Sequence, residues 1–448
     1  MADKNKSRAF RLAPLASAVA AAVLSTSALA VEFHGYARAG ISTTADGGEQ
    51  LCYGSGAAGH FVGRLGDECD TYGEMALGQE LFAQDGKTFR FDMMLAYQAL
   101  NQGNDYQALD GDNDLFSTGG DTNASEPWQG GDIALRQAFV SAKNVIGWAP
   151  GATLWAGKRF YGRKDVHWLD LFYVNNSGYG AGLENISVGN AKASVAVTNF
   201  DTPARHSGNG YTQNNKLDVR FSMPAGAGNL ELIGIYGYAD LTDAQDQNKS
   251  SLSKEVDRNG FFLTAEYSQG LMGGFNKAVL QYGKGSLGHM AYANHGGGES
   301  LNSVWWDGTL EKSWRVMDFG VARLSDKVEL GYSVLYQKGT TYGSGVTEEN
   351  PSLMSVVVRP MYKWDDIMKT TLELGYSKNQ EPWEAEKKAL SKIVVAQEWS
   401  AGKSFWARPT IRLYAGSFFG KRAEENTSHN ADGEKGNLRV GAQFEAWW

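Results

Sequence analysis

The chain ends, from Asn437 to Trp448, in Asn-Leu-Arg-Val-Gly-Ala-Gln-Phe-Glu-Ala-Trp-Trp. Successive side chains of a strand point to opposite faces. Leu438, Val440, Ala442, Phe444, Ala446 and Trp448 therefore share one face, and Arg439, Gly441, Gln443, Glu445 and Trp447 the other. The first face is apolar and the second is wet. A strand of this kind, finishing on an aromatic residue, fits the closing strand of a barrel with lipid outside and water inside.

The opposite end reads as an export leader. Lys4, Lys6, Arg8 and Arg11 precede the apolar run Leu12 to Leu24, and Ala28-Leu29-Ala30 supplies a small-residue cleavage site. The expected division is a signal peptide over 1–30 and one mature domain over 31–448. Net charge is −8 and becomes more acidic once the basic leader is gone, which disfavours nucleic acid as a partner. No later stretch approaches the run of about 18 apolar residues that a membrane-spanning helix requires. The mature chain is then either a soluble exported protein or a membrane β-barrel. Its 55 glycines, 9 prolines and 12% aromatic residues suit the barrel without excluding a soluble β-protein. Cys52 and Cys69 bracket an Asp/Gly-rich segment and suit one loop-stapling disulfide. A metal pair there lacks further ligands at metal-site spacing, and no metal or cofactor is expected.

Period-two segments recur along the whole mature chain without a domain-scale linker. Residues 31–42 set Val31, Phe33, Ala37, Ala39 and Ile41 against Glu32, His34, Tyr36 and Arg38. Residues 71–81 set Met75, Leu77 and Leu81 against Tyr72, Glu74 and Glu80. Similar segments fall at 89–97, 132–143, 152–160, 181–188, 191–200, 216–223, 229–239, 259–268, 275–284, 301–311, 313–324, 327–338, 353–364, 369–378, 391–400, 404–418 and 437–448. A single-chain bacterial barrel needs an even number of strands. Segment 301–311 is set aside, because Trp305-Trp306 breaks its alternation and Gly296 to Gly298 precedes it. The expected fold is an all-β, 18-stranded antiparallel transmembrane β-barrel. Short turns such as 84–86, 224–229 and 325–326 alternate with long polar loops such as 43–69 and 99–131, as in an outer-membrane barrel. Asp110 to Asp114 has the opening of a calcium loop but lacks its glycine and closing glutamate, so a solvated acidic loop is expected.

Two sets of residues fall on predicted lumen faces. Tyr36, Tyr72 and Trp447 place aromatic rings where a water-filled pore ordinarily places polar groups. Such rings either stack on the apolar faces of sugars or belong to an interfacial belt. Arg38, Glu74, Arg136, Arg163, Asp165 and Asp170 supply donors and acceptors of both signs. They suit exchange of hydrogen bonds with sugar hydroxyls, or the charged constriction of a general porin. Gly-x-Ser-x-Gly, His-Glu-x-x-His and phosphate-binding glycine motifs are absent from the sequence. Of the 7 histidines, His34 and His167 are the ones expected to face the lumen, as lining residues rather than bases.

Ordered blocks then carry a resemblance. VEFHGYAR (31–38), RLGDECDTY (64–72), GQE (78–80), LWAGKRFYGR (154–163), DVH (165–167), GAGLENI (180–186), GFNK (274–277), RPMYKW (359–364) and the terminal EAWW together resemble the maltoporin family. The resemblance implies a bacterial outer-membrane barrel with an inward-folded constriction loop, assembled as a homotrimer in outer-membrane lipid. It would pass maltose and maltodextrins by facilitated diffusion, with no enzyme activity. Its aromatic slide would fall on Tyr36, Tyr72, Phe275, Trp364 and Trp447, with Tyr106, or in its place Trp128, reaching in from a neighbouring subunit. Its polar track would fall on Arg38, Arg64, Glu74, Arg136, Arg163, Asp165 and Asp170, and Cys52 and Cys69 match its first-loop disulfide. The family's constriction tyrosine aligns with Phe172 and a following acid with Asn175. Both changes imply weaker hold on maltodextrins and room for other oligosaccharides, such as sucrose, so a broader or general diffusion porin is the alternative. A surface adhesin or an outer-membrane enzyme is the reading from another class. Surface loops would be the place for bacteriophage contacts.

Overall fold

The computed structural model describes residues 31–45, 52–53, 60–99, 107–108, 129–130, 132–203, 211–240, 243, 257–292, 310–341, 350–381, 384–425 and 438–448. The expected leader, Tyr106, Trp128, residues 110–114 and most of segment 301–311 lie outside the described residues. Within them the chain forms one closed 18-stranded sheet in which each strand pairs antiparallel with its sequence neighbours. Closure joins the first strand, Glu32–Thr44, to the last, Leu438–Trp447, with Tyr36 opposite Trp447 and Thr44 opposite Arg439.

Alternation survives because the two faces meet different solvents. On Lys388–Ser400, Ile393, Val395 and Trp399 are exposed to the bilayer side, whereas Lys392, Val394 and Glu398 are buried inside. The closing strand repeats the rule: Leu438, Val440 and Phe444 face out, and Arg439, Gln443 and Glu445 are buried. Two sequence boundaries need correcting. Leu310 and Glu311 belong to the strand Leu310–Arg323, and the strand expected from 404 begins only at Thr410. Pro409 has no N–H to give to a ladder. Residues 404–408 instead turn inward, where Glu329 accepts the Phe405 N–H at 2.6 Å and Lys369 donates to the Ser404 carbonyl at 2.9 Å.

Two further segments enter the barrel. The stretch 160–177 carries a small hairpin, Lys164–Val166 with Leu171–Val174, around the short helix His167–Leu169. Trp168, Leu171 and Tyr173 are buried against the wall. Trp168 donates its indole N–H to Ser333 at 3.1 Å and stands edge-on to Phe319 and Phe405. The second segment, 60–69, ends at the Cys52–Cys69 disulfide. Its backbone is held by wall side chains: Glu373 accepts the Leu65 N–H at 3.0 Å and Lys392 donates to the Leu65 carbonyl at 3.0 Å. Gly375 makes the approach possible, since a Cβ there would lie 1.9 Å from the Val62 carbonyl oxygen.

Glu373 also pairs with Arg359 at 2.6 Å and with Lys392 at 2.6 Å, all three being buried. Removing only the anion strands two buried cations. We expect Glu373→Ala to destabilise the folded barrel by roughly 3–5 kcal/mol, read as a lower denaturation midpoint in detergent. An unchanged midpoint would contradict this role.

Candidate functional site

The rings on the inner wall form a connected path. Tyr72 and Tyr36 lie 6.0 Å apart, and Tyr36 is the strand partner of Trp447. Trp447 stands edge-on to His167 at 5.6 Å, and His167 reaches Trp406 at 5.8 Å. Trp406 then lies 6.4 Å from Phe275, with their planes 31° apart. The sequence reading does not single out Trp406, although it shares the parity of Thr410 and Arg412, which are buried inside on the strand that follows.

Trp364 takes the opposite side. On Ser352–Lys363, Lys363 points inward to Glu329, whereas Tyr362 faces out. Trp364, in the turn that follows, packs against Tyr362 at 4.7 Å and donates to Thr370 at 2.8 Å. It is 54% exposed and stands apart from the lumen rings, in the manner of an interfacial anchor.

Charged residues run beside the rings. Arg38 grips Asp70 with two bonds of 3.0 and 2.9 Å, lies 3.2 Å from Glu68 and 4.0 Å from Asp170, and covers the Tyr72 ring. Asp170 is held in a left-handed conformation, φ 47°, which suits aspartate better than most side chains. Tyr72 donates to Glu74 at 2.6 Å. Arg64 binds Glu68 and donates to the Tyr36 hydroxyl at 2.9 Å. Arg163 sits between two rings, 4.1 Å from the Phe160 centroid and 4.3 Å from that of Phe172, and Arg136 also covers Phe160. Asp165 pairs with Phe172 across the small hairpin. Asn175 is turned into its own loop, where its side-chain oxygen accepts bonds from the backbone N–H and hydroxyl of Ser177.

Glu445, whose role was not read from the sequence, joins these groups. It accepts bonds from the Tyr36 hydroxyl at 3.0 Å, Arg408 at 2.7 Å and Arg412 at 2.8 Å, and lies 3.0 Å from His167 Nε2. Arg408 meanwhile covers the Trp447 ring at 4.4 Å. Burial holds the Arg408 guanidinium down at about 10, still charged at neutral pH. Burial also pushes the His167 imidazole below its ordinary value, with Arg64 and Arg408 adding to it and Glu445 opposing.

A closed, lipid-facing barrel whose lumen is narrowed by inward segments and lined by rings and ions is a channel of the bacterial outer membrane, a porin. Residues 31–448 match the model of the LamB porin family. A curated relative named Maltoporin, from Hahella chejuensis (strain KCTC 2396), is 43% identical over 453 residues, covering 100% of each chain. The chain belongs to the LamB porin family. Among solved structures, Acinetobacter baumannii OccAB2 matches at TM-score 0.48 and 9% identity, over 93% of this chain and 98% of that one. Pseudomonas aeruginosa OpdK, solved with vanillate, matches at 0.47 and 9%, with the same coverage.

With a depressed imidazole, the folded chain holds fewer protons than the unfolded chain between that depressed value and 6.5. His167 therefore favours folding least at low pH, and its penalty disappears above pH 6.5. In labelled protein, assigned by comparison with His167→Gln, the His167 signal should be predominantly neutral at pH 6.5. A midpoint at or above 6.5 would show that Glu445 outweighs burial.

Proposed function

We propose that this porin passes maltose and maltodextrins by facilitated diffusion, as a homotrimer. The observation that carries the reading is the ring path Tyr72, Tyr36, Trp447, Trp406 and Phe275, flanked by Arg38, Arg64, Glu74 and Asp170. A glucose unit has an apolar C–H face that stacks on such a ring, while its hydroxyls trade bonds with the neighbouring guanidinium and carboxylate groups. Each contact is weak and the next ring is near, so a chain of units advances by exchanging one contact for another. The sugar gradient drives net flux.

The broader oligosaccharide reading has its own observation. Phe172 presents no hydroxyl, and it spends its face on Arg163, which Phe160 covers on the other side. Asn175 is engaged with Ser177. Both features leave fewer groups to select maltodextrin hydroxyls at this point.

Block of ion current by sugar through reconstituted protein tests these readings. Maltohexaose should block, and Trp406→Ala should weaken block by about 1 kcal/mol, roughly fivefold in apparent affinity. Trp364→Ala should leave it unchanged, and the reverse pattern would put the wrong tryptophan in the path. Phe172→Tyr should strengthen maltohexaose block severalfold. Tighter block by sucrose than by maltohexaose in the parent channel would favour the broader reading, and no block by either sugar would remove both. Light scattering of the detergent-extracted channel should give three copies of the chain per particle.

A further inference from the structure

The outer wall carries a carboxylate where its apolar rule would place a hydrocarbon side chain. Three consecutive strands, Gly274–Gly285, Leu310–Arg323 and Val328–Thr341, send Asn276, Asp318 and Tyr332 outward together. Register sets Gly320 opposite both Asn276 and Tyr332, and Asp318 opposite both Ala278 and Val334. With no side chain at Gly320 to part them, Asn276 Nδ2 donates to the Tyr332 hydroxyl at 2.8 Å and lies 2.9 Å from each Asp318 carboxylate oxygen. Tyr332 also bonds Asp318. Both partners are neutral, and among the described residues no cation of the chain pairs with Asp318.

An apolar groove of about 380 Å³ opens beside the carboxylate. Ala265, Tyr267, Ala278, Leu280, Val316 and Tyr336 are among its lining residues, together with Asp318 itself. Leu280, Val316 and Val334 are among the more exposed apolar side chains of the wall. Asn276 follows the short turn at 272–273 by a few residues, and Asp318 precedes the turn at 324–327 by a few, so the carboxylate stands near the short-turn rim. A carboxylate on a lipid-facing wall costs free energy, and an ionisable residue kept there calls for a partner. The groove accepts a hydrocarbon chain, and the uncompensated anion at its side asks for a cation at headgroup level.

We propose that this groove is a binding site for a phospholipid of the leaflet at the short-turn rim, its acyl chain lying between Tyr267 and Tyr336 and its primary ammonium headgroup meeting Asp318. The site selects by charge: an anionic headgroup meets the carboxylate unfavourably, while an ammonium completes it. It is independent of the sugar path, because Asp318, Tyr267, Ala278, Leu280, Val316 and Tyr336 all stand on the outward face of their strands.

The full-length channel, stripped of lipid in detergent, would be titrated with phosphatidylethanolamine or phosphatidylglycerol and weighed intact by native mass spectrometry. The parent protein should retain phosphatidylethanolamine roughly fivefold better than phosphatidylglycerol. Asp318→Asn should remove that preference, and Ala278→Phe, which fills the groove, should reduce retention of both. Sugar block should be unchanged in each variant, which also shows that the barrel has folded. Equal retention of the two lipids by the parent, or a preference that survives Asp318→Asn, overturns the proposal. So does a disulfide formed between subunits through Val334→Cys, since a second copy of the chain would then cover this face.

Discussion

The lumen depends on one buried carboxylate. Glu445 lies on the closing strand, yet its partners come from the first strand through Tyr36, from the constriction loop through His167, from the inward turn through Arg408, and from the adjacent strand through Arg412. Arg64, on the inward part of the first loop, reaches the same carboxylate through Tyr36. A buried anion is tolerable only when its charge and lone pairs are met, so these five segments are held to one geometry. The rings follow from it. Tyr36 is fixed by its hydroxyl, and Trp447 by the Arg408 guanidinium over its face and the His167 ring at its edge.

Other inward segments use the same device at other points of the wall. Glu373 holds the first loop, and Glu329 holds the turn before Thr410 by accepting the Phe405 N–H while pairing with Lys363 at 2.7 Å. Glu266 holds the far side of the constriction hairpin, accepting a bond from the Tyr173 hydroxyl at 2.8 Å and lying 3.1 Å from both Lys164 and Lys277. In each case a strand supplies the anion and a loop or a neighbouring strand supplies the donors. A rigid wall can thus present a narrow pathway on segments that have no ladder of their own.

The strands were legible because every one of them separates two solvents, so parity alone marks which residues lie where. That reasoning carries Tyr36, Arg38, Tyr72 and Glu445 to the inner face. Parity also sends Trp364 outward with Tyr362, so its expected place on the inner path rests on the resemblance alone; counted back from Thr410 and Arg412 it marks Trp406 for the inside, but the inward turn that brings that ring to Phe275 has no ladder to announce it. Contacts of Glu445 could not be read either. Its partners Arg64, His167 and Arg408 are brought to it by the closure of the barrel and by two inward segments, and nothing local in the sequence marks that meeting.

Trp447 and Trp448 show what the pleat does with adjacent residues of like chemistry. Trp448 packs outside against Phe33 at 5.5 Å and is 47% exposed, whereas Trp447 stands inside against His167 and Arg408. The backbone between them is tied to the first strand by reciprocal bonds of Gly35 and Trp448, each 3.2 Å. Depth of the barrel in the bilayer, set in part by Trp448, and height of the ring path in the lumen, set in part by Trp447, are then properties of one peptide unit. A register slip of one residue would exchange the two rings and move Glu445 to the lipid side with them. The cost of that exchange is the loss of every partner Glu445 holds, and this is how the polar hub inside secures the placement of the apolar anchor outside.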